Sequence, residues 1–386
     1  MDRYRTAARA LFCVTFLFWF SQYAYTPYLN PELQAMGASA TFIGLVGGGY
    51  GFTQLLSRLP LGIAADRFRC HKTFILAGCL LSSLSGFGMY FRYTPAGFLV
   101  FRALGGFAAA TWVAFTVLYS SYFPAEKGPQ AINMLNVANQ AGRLLCFVLV
   151  AALVGRLGER SSFFLAGLAG LAAAVLCLFV RNSAPAGAPV RLQEVPGLLR
   201  DRNLLACTLL AVLTQVVAFS TYSGFVTNYA VDIGAQAAQL SLMSIVMMVP
   251  LVASNYLVAS KWLSRFGARS LLAVGFGLTA IYCVVLPWAP AMEWVYVLQA
   301  LAGVSNTLTM SVLLGVCVQN VGPGRRSTAM GFFQAIYGLG MTAGPILMGM
   351  LTDGLSLPAA FRVMSVVALL ALVLTLTLLP RRAKRT

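Results

Sequence analysis

The sequence is poor in charged residues, and above all in acids. Only 10% of its 386 residues are charged, with ten Asp and Glu in total, whereas soluble domains carry about 25% charged residues. A soluble enzyme of this size would lack the polar surface that it needs. Hydrophobic residues make up 59% of the chain and the mean hydropathy is +0.80, so the composition indicates a polytopic membrane protein.

Groups that bind metals or carry out catalysis are also scarce. There is no Cys-x-x-Cys pair and His71 is the single histidine, so a zinc site lacks ligands. No GxxxxGK[ST] motif is present, which excludes the usual ATP site. All ten acids fall in loops or at the ends of apolar segments, so a membrane-embedded catalytic acid is missing. We therefore expect no enzyme activity, no cofactor and no bound metal.

Twelve apolar segments of about 20 to 26 residues follow one another along the chain. Each is long enough to cross a bilayer as a helix. The first follows three arginines but is too long for a signal peptide, so we expect it to be retained as a span. The predicted spans are 10–29, 43–63, 73–91, 97–119, 130–155, 161–180, 203–229, 238–260, 270–289, 293–317, 328–352 and 360–380.

The distribution of Lys and Arg predicts the orientation of these spans. The loops on the side of the N-terminus hold 20 Lys and Arg and the opposite loops hold four, which places both termini in the cytoplasm. This bias also accounts for the net charge of +17 without a nucleic-acid partner. The one long linker, residues 181–202, divides the chain into two predicted six-helix bundles, residues 1–180 and 203–386.

Two sequence echoes indicate an internal repeat. Arg67-Phe68 after span two returns as Arg265-Phe266 after span eight, 198 positions later, and Ala141-Gly142 in span five returns as Ala343-Gly344 in span eleven, 202 positions later. Matching positions at nearly one offset favour duplicated halves.

Three motifs resemble those of the major facilitator superfamily (MFS). Gly62-x-x-x-Asp66-Arg67 is similar to its signature loop between spans two and three. Phe98-x-x-x-Arg102-x-x-Gly105-Gly106 resembles its fourth-helix motif, and Gly340-x-x-x-Gly344-Pro345 resembles its glycine-proline motif. There are three departures. Arg69 stands where the family usually has glycine, and Cys70 stands where a basic residue is common. The glycine-proline motif lies in span eleven, whereas drug antiporters carry it in span five, where this chain has Arg143 in the proline position.

The resemblance implies an all-helical membrane fold of twelve spans, arranged as two pseudosymmetric six-helix bundles that rock about a central cavity. It implies a latch of the outward-open state at Asp66 and Arg67, while a topogenic loop with an incidental acid is the alternative. Glycine-rich spans two and eleven suit sliding helices as well as static close packing. The residues implied in gating are Gly62, Asp66, Arg67, Arg102, Gly340, Gly344 and Pro345.

A polar stripe on span five is the sharpest functional signal. Asn133, Asn136, Gln140 and Arg143 are spaced by three, four and three residues, which places them on one helix face. A guanidinium beside amides suits a carboxylate or phosphate; the alternative is a polar seam between helices. The other predicted substrate-binding residues are Gln22, Tyr25, Tyr222, Gln334 and Tyr337.

These observations predict a monomeric, multi-pass transporter of the inner or plasma membrane. Its partners would be the lipid bilayer and a small anionic or zwitterionic amphipathic solute carried by alternating access. The sequence leaves open whether a proton or another ion is coupled. A multidrug or lipid-like exporter with an aromatic cavity, and a transporter-derived sensor, remain alternatives.

Overall fold

The core of a bilayer holds no water that could bond with the backbone. Each long apolar segment must therefore form a helix, in which its N–H and C=O groups bond with one another. The structure, a computed structural model, describes residues 2–124, 127–182, 197, 200–258, 263–322 and 325–379. Within these residues the chain is helical and has no β-strand. Most of the predicted linker, residues 183–196 and 198–199, lies outside the described residues.

The helices of the first half run from the N-terminus to residue 177. They are α1 (Asp2–Tyr23), α2 (Thr26–Ala35), α3 (Ala40–Phe68), α4 (His71–Phe91), α5 (Pro95–Ala110), α6 (Trp112–Ser120), α7 (Gly128–Leu157) and α8 (Ser161–Cys177).

The helices of the second half begin at residue 202. They are α9 (Arg202–Ser220), α10 (Val226–Asp232), α11 (Ala237–Leu257), α12 (Leu263–Phe266), α13 (Ala268–Val285), α14 (Met292–Asn306), α15 (Val312–Val316), α16 (Arg326–Gly354) and α17 (Leu357–Leu378).

Nine helical stretches in the described part of the chain are long and apolar enough to cross a membrane. Three of them join two helices across a short break, namely residues 95–120, 202–232 and 292–316. Helix α8 is apolar but shorter. The fold is therefore that of an all-helical, multi-pass membrane protein.

The chain forms two compact units whose boundaries cut through two helices. Unit 1 comprises residues 1–36, 49–190 and 237–242, and unit 2 comprises residues 37–48, 191–236 and 243–386. The beginning of α3 therefore packs with unit 2, and the beginning of α11 packs with unit 1. Tyr28 illustrates the second case, because its hydroxyl donates to Ala237 O at 3.1 Å and lies 2.7 Å from Ser241 Oγ.

The two units repeat one packing pattern. In unit 1, α1 packs on α7 and α8, and α4 packs on α5 and α8; in unit 2, α9 packs on α16 and α17, and α13 packs on α14 and α17. The echoed glycines occupy matching contacts, since a Cβ on Gly142 would meet Phe16 O of α1 and a Cβ on Gly344 would meet Val216 O of α9. The internal repeat seen in the sequence is thus a repeat of helix packing.

The N-terminus of α3 is capped by a side chain from a distant part of the sequence. Asp353, at the end of α16, accepts from Ala40 N at 2.9 Å and from Thr41 N at 2.8 Å. The hydroxyl oxygen of Ser39 accepts a hydrogen bond from Phe42 N, and its carbonyl oxygen accepts one from Ile43 N. Because the first N–H groups of a helix have no partner within it, these two residues together satisfy the whole first turn.

Arg69, in the loop after α3, has a left-handed backbone conformation with φ of 51°. Side chains other than glycine avoid this region because Cβ crowds the backbone. This is the position at which the MFS signature usually has glycine. Arg69 therefore retains a turn that glycine would form without strain, and its carbonyl accepts a hydrogen bond from Asn182 Nδ2 at 2.5 Å.

Two carboxyl groups meet where the helices of unit 1 end. Glu32 accepts a hydrogen bond from the Tyr93 hydroxyl and shares a hydrogen bond with Glu159. Arg160 lies beside them with its Cζ 4.6 Å from the centre of the Tyr93 ring. Partial burial and the Glu32 charge raise the pKa of Glu159 to about 7, because removing a carboxylate from water and placing a second one beside it both favour the protonated form.

We expect the stability of the protein to fall as the pH rises from about 4.5 to about 7. The folded state holds the Glu159 proton through this range while the unfolded state releases it, so folding binds protons and is favoured at low pH. In thermal melts, Glu159→Gln should show a weaker dependence of stability on pH. At pH 8 its free energy of unfolding should exceed that of the wild type by about 1 kcal/mol, after solvent screening is allowed for. Glu293→Gln, an exposed site in the first turn of α14, is the control. Parallel pH curves for wild type and Glu159→Gln would contradict the prediction.

Candidate functional site

Four apolar stretches are interrupted near their middle. Helices α1 and α2 are separated by Ala24 and Tyr25, and α5 and α6 by Thr111. In unit 2, π-helical turns at Thr221–Phe225 and Thr307–Ser311 interrupt the corresponding stretches. Interrupted helices at equivalent places of two repeats are the usual pointer to a transporter's binding region, because local unwinding frees polar backbone groups.

The interruptions match at one offset. Tyr25 and Tyr222 are 197 positions apart, and the same offset relates Thr111 to Leu308 inside the second π-helical turn. A helix break that recurs at one register in both repeats is a property of the fold and not of one local sequence. The residues beside these breaks are therefore the candidate site.

The polar stripe lies on α7, as its spacing predicts. Asn133 and Asn136 are exposed, and Gln140 and Arg143 are half-buried. Arg143 lies roughly 20 Å along the apolar segment that begins at residue 130. The amide oxygen of Asn139, beside the stripe, is buried without a hydrogen-bond partner. The stripe thus becomes more enclosed toward its arginine.

Arg143 is held by an amide and an aromatic ring. Its Nη1 donates to Gln140 Oε1 at 3.2 Å, and its Cζ lies 4.0 Å from the centre of the Tyr23 ring. Its Nε is buried and has no partner, and no carboxylate of the described residues contacts the group. Stacking on an aromatic face fixes the guanidinium without neutralising its charge.

Three predicted residues come together in unit 1. Gln22 is buried and its Nε2 donates to Ser82 Oγ at 3.1 Å. Tyr25 accepts a hydrogen bond from Arg102 Nη1 at 2.8 Å and stacks on Phe163, with ring centres 5.6 Å apart. Arg102 of the fourth-helix motif is therefore bonded to Tyr25, and the side chains of Tyr25 and Gln22 both lie near the Cβ position of Gly105.

The predicted residues of unit 2 are packed differently. The backbone carbonyl of Tyr222 accepts from Gln299 Nε2 at 3.2 Å, and its ring meets that of Tyr282 edge-on at 5.8 Å. Gln334 and Tyr337 lie half-buried on one face of α16. Tyr222 is thus part of a hydrogen-bonded core.

The signature loop has an unexpected partner. Asp66 lies 3.0 Å from the Nε2 of His71, which is buried at the start of α4. Arg67 is exposed. Gly62, one turn before Asp66, faces Val113 of α6 at an ordinary contact distance of 3.4 Å for an added Cβ. In this structure the acid of the motif is therefore paired with a histidine of its own unit.

The glycine-proline motif is a contact surface on two sides of α16. Gly340 and Gly344 face the backbone of α9 at Val212 and Val216, where an added Cβ would clash. Pro345 lies against the glycines at the start of α3, with its Cβ 3.2 Å from the Cβ position of Gly47. Small residues at these positions let the helix backbones approach closely.

Sequence reasoning missed Tyr23 and Tyr50. Tyr23 lies under Arg143, and the ring centre of Tyr50 lies 4.1 Å from Arg102 Cζ. Tyr50 is an aromatic residue in a glycine-rich segment, which is a weak signal by itself. Its role depends on the packing of α3 against α5, which the sequence of α3 does not specify.

Known proteins show the same architecture. The family model for the Major Facilitator Superfamily matches the chain twice, over residues 11–253 and 208–386. An uncharacterized MFS-type transporter of Methanocaldococcus jannaschii is 20% identical over 350 residues, covering 87% of this chain and 88% of its own. A tetracenomycin C resistance and export protein of Streptomyces glaucescens is 29% identical over 190 residues, covering 48% of this chain and 35% of its own.

A solved structure agrees with the fold. The inward-facing, occupied form of a bacterial homolog of the human lysosomal transporter Spinster superposes with a TM-score of 0.81, covering 97% of both chains at 14% identity. The structural likeness shows the fold alone, because the sequence identity is low. The family model matches the sequence over almost the whole chain and so shows the family. The chain therefore belongs to the major facilitator superfamily and is a multi-pass membrane transport protein.

Proposed function

We propose that this protein is a secondary active transporter that moves a small anionic or zwitterionic amphipathic solute across the cell membrane by alternating access. The apolar segments favour twelve membrane spans, and the central linker divides them into two six-helix bundles. The loop charges favour an orientation with both termini in the cytoplasm. Family membership supports transport and not enzymatic chemistry.

The observation that carries the proposal is the state of Arg143. A guanidinium deep in an apolar helix is costly, and nearby carboxylates usually offset such a charge. Arg143 contacts an amide and an aromatic ring and no carboxylate of the described residues. An anionic solute would supply the missing charge, and the guanidinium would bind it through paired N–H groups.

A thermal-stability screen of purified protein in detergent tests the proposal. The library contains small carboxylates, phosphates, metal-chelating acids, sugars and lipophilic cations. A ligand that binds only the folded state raises the free energy of unfolding, by about 2.7 kcal/mol at a concentration of a hundred times Kd, and the melting temperature rises with it. We expect anions to stabilise the wild type and to lose this effect in Arg143→Ala.

The matched control is Arg156→Ala. Arg156 lies on the same helix, in its last turn, and is exposed. The substitution removes the same charge from α7 without touching the stripe, so it should keep the stabilisation by anions. Equal loss in both variants, or no stabilisation of the wild type by any anion, would refute the proposal.

A second candidate function is export of apolar drugs. The similarity to the tetracenomycin C export protein favours it, as does an aromatic cluster in unit 1 formed by Phe18, Trp19, Tyr23, Trp112 and Phe115. Under this alternative, lipophilic cations would stabilise the wild type and Arg143→Ala alike, and Arg143 would be a structural seam.

A further inference from the structure

Arg102 is a buried charge whose bonding capacity is largely unused. It lies on α5 with 8% of its surface exposed. Its Nη1 donates to the Tyr25 hydroxyl at 2.8 Å, and its Cζ lies 4.1 Å from the centre of the Tyr50 ring. Its Nε is buried without a partner. A guanidinium has five N–H donors, and no carboxylate of the described residues accepts from any of them.

A second unsatisfied group lies beside it. Gln22 is 2% exposed, and its Oε1 is buried without a hydrogen-bond partner. This oxygen and the Tyr25 hydroxyl lie 3.6 and 3.3 Å from the position that a Cβ on Gly105 would occupy. The glycine one turn after Arg102 therefore leaves room where these polar groups converge. Buried polar groups in folded proteins are almost always hydrogen-bonded. Arg102 Nε and Gln22 Oε1 are two exceptions in one cluster.

Arg102 and Arg143 belong to one group of side chains. Tyr23, the last residue of α1, stacks under Arg143, whose Cζ lies 4.0 Å from the ring centre. Tyr25, two residues further along, bonds Arg102. The break between α1 and α2 thus presents tyrosines to both arginines, and all of these residues belong to unit 1.

The internal repeat provides a comparison within the same molecule. The residue 197 positions after Arg102 is Gln299, just as Tyr222 corresponds to Tyr25. Gln299 is 2% exposed, donates to Tyr222 O at 3.2 Å and accepts from the Tyr282 hydroxyl at 3.3 Å. A neutral side chain whose amide nitrogen and oxygen are both hydrogen-bonded therefore fills this position in unit 2. Helix packing at the position does not require a charge.

We propose that Arg102 is a second anion-binding residue beside Arg143, and that the transported solute carries two negative charges on one headgroup, as a phosphate monoester does. This inference rests on the proposed function, because it extends the site built around Arg143. Two uncompensated guanidinium groups match a dianion in charge, and a phosphate presents enough oxygens to accept from both.

Two butyl esters of similar shape, a phosphate and a sulfate, isolate the effect of the ligand's second negative charge on its affinity. n-Butyl phosphate carries two charges at pH 8 and close to one at pH 5, since the second pKa of a phosphate monoester is about 6; n-butyl sulfate carries one charge at both values. We expect the wild type in detergent to bind butyl phosphate about tenfold or more tightly than butyl sulfate at pH 8. The preference should vanish at pH 5. Affinities come from titration calorimetry.

Arg102→Gln places in unit 1 the residue that unit 2 already carries at the equivalent position. It should fold, and it should bind both esters with equal affinity at both pH values. Arg143→Gln should weaken binding of both esters together. A wild type that binds the two esters equally at pH 8, or an Arg102→Gln variant that keeps the preference, overturns this inference and leaves the anion site of Arg143 standing. A wild type that binds neither ester overturns the proposed function and this inference with it.

Discussion

Gly344→Leu should yield little or no folded protein, and Gly344→Ala should fold with a clearly lowered melting temperature. The Cβ of alanine at this position would lie 2.5 Å from Val216 O and 2.9 Å from Val216 Cα on α9. Both neighbours are backbone atoms, so no side chain can move aside. Relief requires α16 and α9 to separate, which loses contacts along their whole length.

The size of this effect follows from two opposing terms. Replacing a helical glycine by alanine gains about 0.5–1 kcal/mol through reduced backbone freedom in the unfolded chain. Inserting atoms into a close-packed contact costs about 1–3 kcal/mol or more. With a backbone carbonyl as the obstacle, the second term dominates, and the larger leucine exceeds what the contact accommodates.

Gly331→Ala is the control on the same helix. An added Cβ at Gly331 has nothing within 4 Å, so only the favourable term remains and the melting temperature should rise slightly. The measurement is a thermal melt of each variant in detergent, with size-exclusion profiles as a check of folding. If Gly344→Ala melted at or above the temperature of Gly331→Ala, close packing of α16 on α9 would not be the reason for the glycine.

Asp353→Ala should destabilise the protein by about 0.5–2 kcal/mol, the usual cost of losing a helix N-cap. It leaves the N–H groups of Ala40 and Thr41 without acceptors. Two charge-assisted hydrogen bonds disappear together, and a negative charge leaves the positive end of the α3 dipole. Ser39 still caps Phe42 and Ile43, so the helix frays and does not unfold.

Hydrogen exchange locates this effect. In Asp353→Ala the amides of Ala40 and Thr41 should exchange faster, while those in the middle of α3 should change little. Thr352→Ala is the neighbouring control, because the Thr352 hydroxyl bonds only Met348 O within its own helix. Unchanged exchange at Ala40 and Thr41 in Asp353→Ala would show that water replaces the carboxylate without cost.

The geometry of the candidate site was predictable where helical periodicity applied. The spacing of Asn133, Asn136, Gln140 and Arg143 placed them on one face of α7, and the Gln140–Arg143 contact follows directly from that spacing. The aromatic partner of Arg143 was not predictable, because Tyr23 is 120 positions away in sequence. Local spacing specifies a helix face, but it does not specify which helix packs against that face.

Predicted spans one and two also show which features the sequence specifies and which depend on helix packing. The apolar segment 10–29 predicted one span, whereas the structure breaks it at Ala24 and Tyr25 before Pro27. The composition of residues 43–63 predicted a helix, and α3 forms there. Its first turns nevertheless pack with unit 2, because Gly44 and Gly48 let α16 approach and Asp353 caps the helix end.

The sequence by itself determined that this is a helical membrane protein of the major facilitator superfamily, because a bilayer forces apolar segments of this length into helices and the motifs are local. Only the tertiary structure decided the partners of the buried charges. Arg102 faces Tyr25 and Tyr50, and Gln299 at the equivalent position faces Tyr222 and Tyr282. Such pairings depend on how helices distant in sequence pack together, and neither periodicity nor composition encodes them.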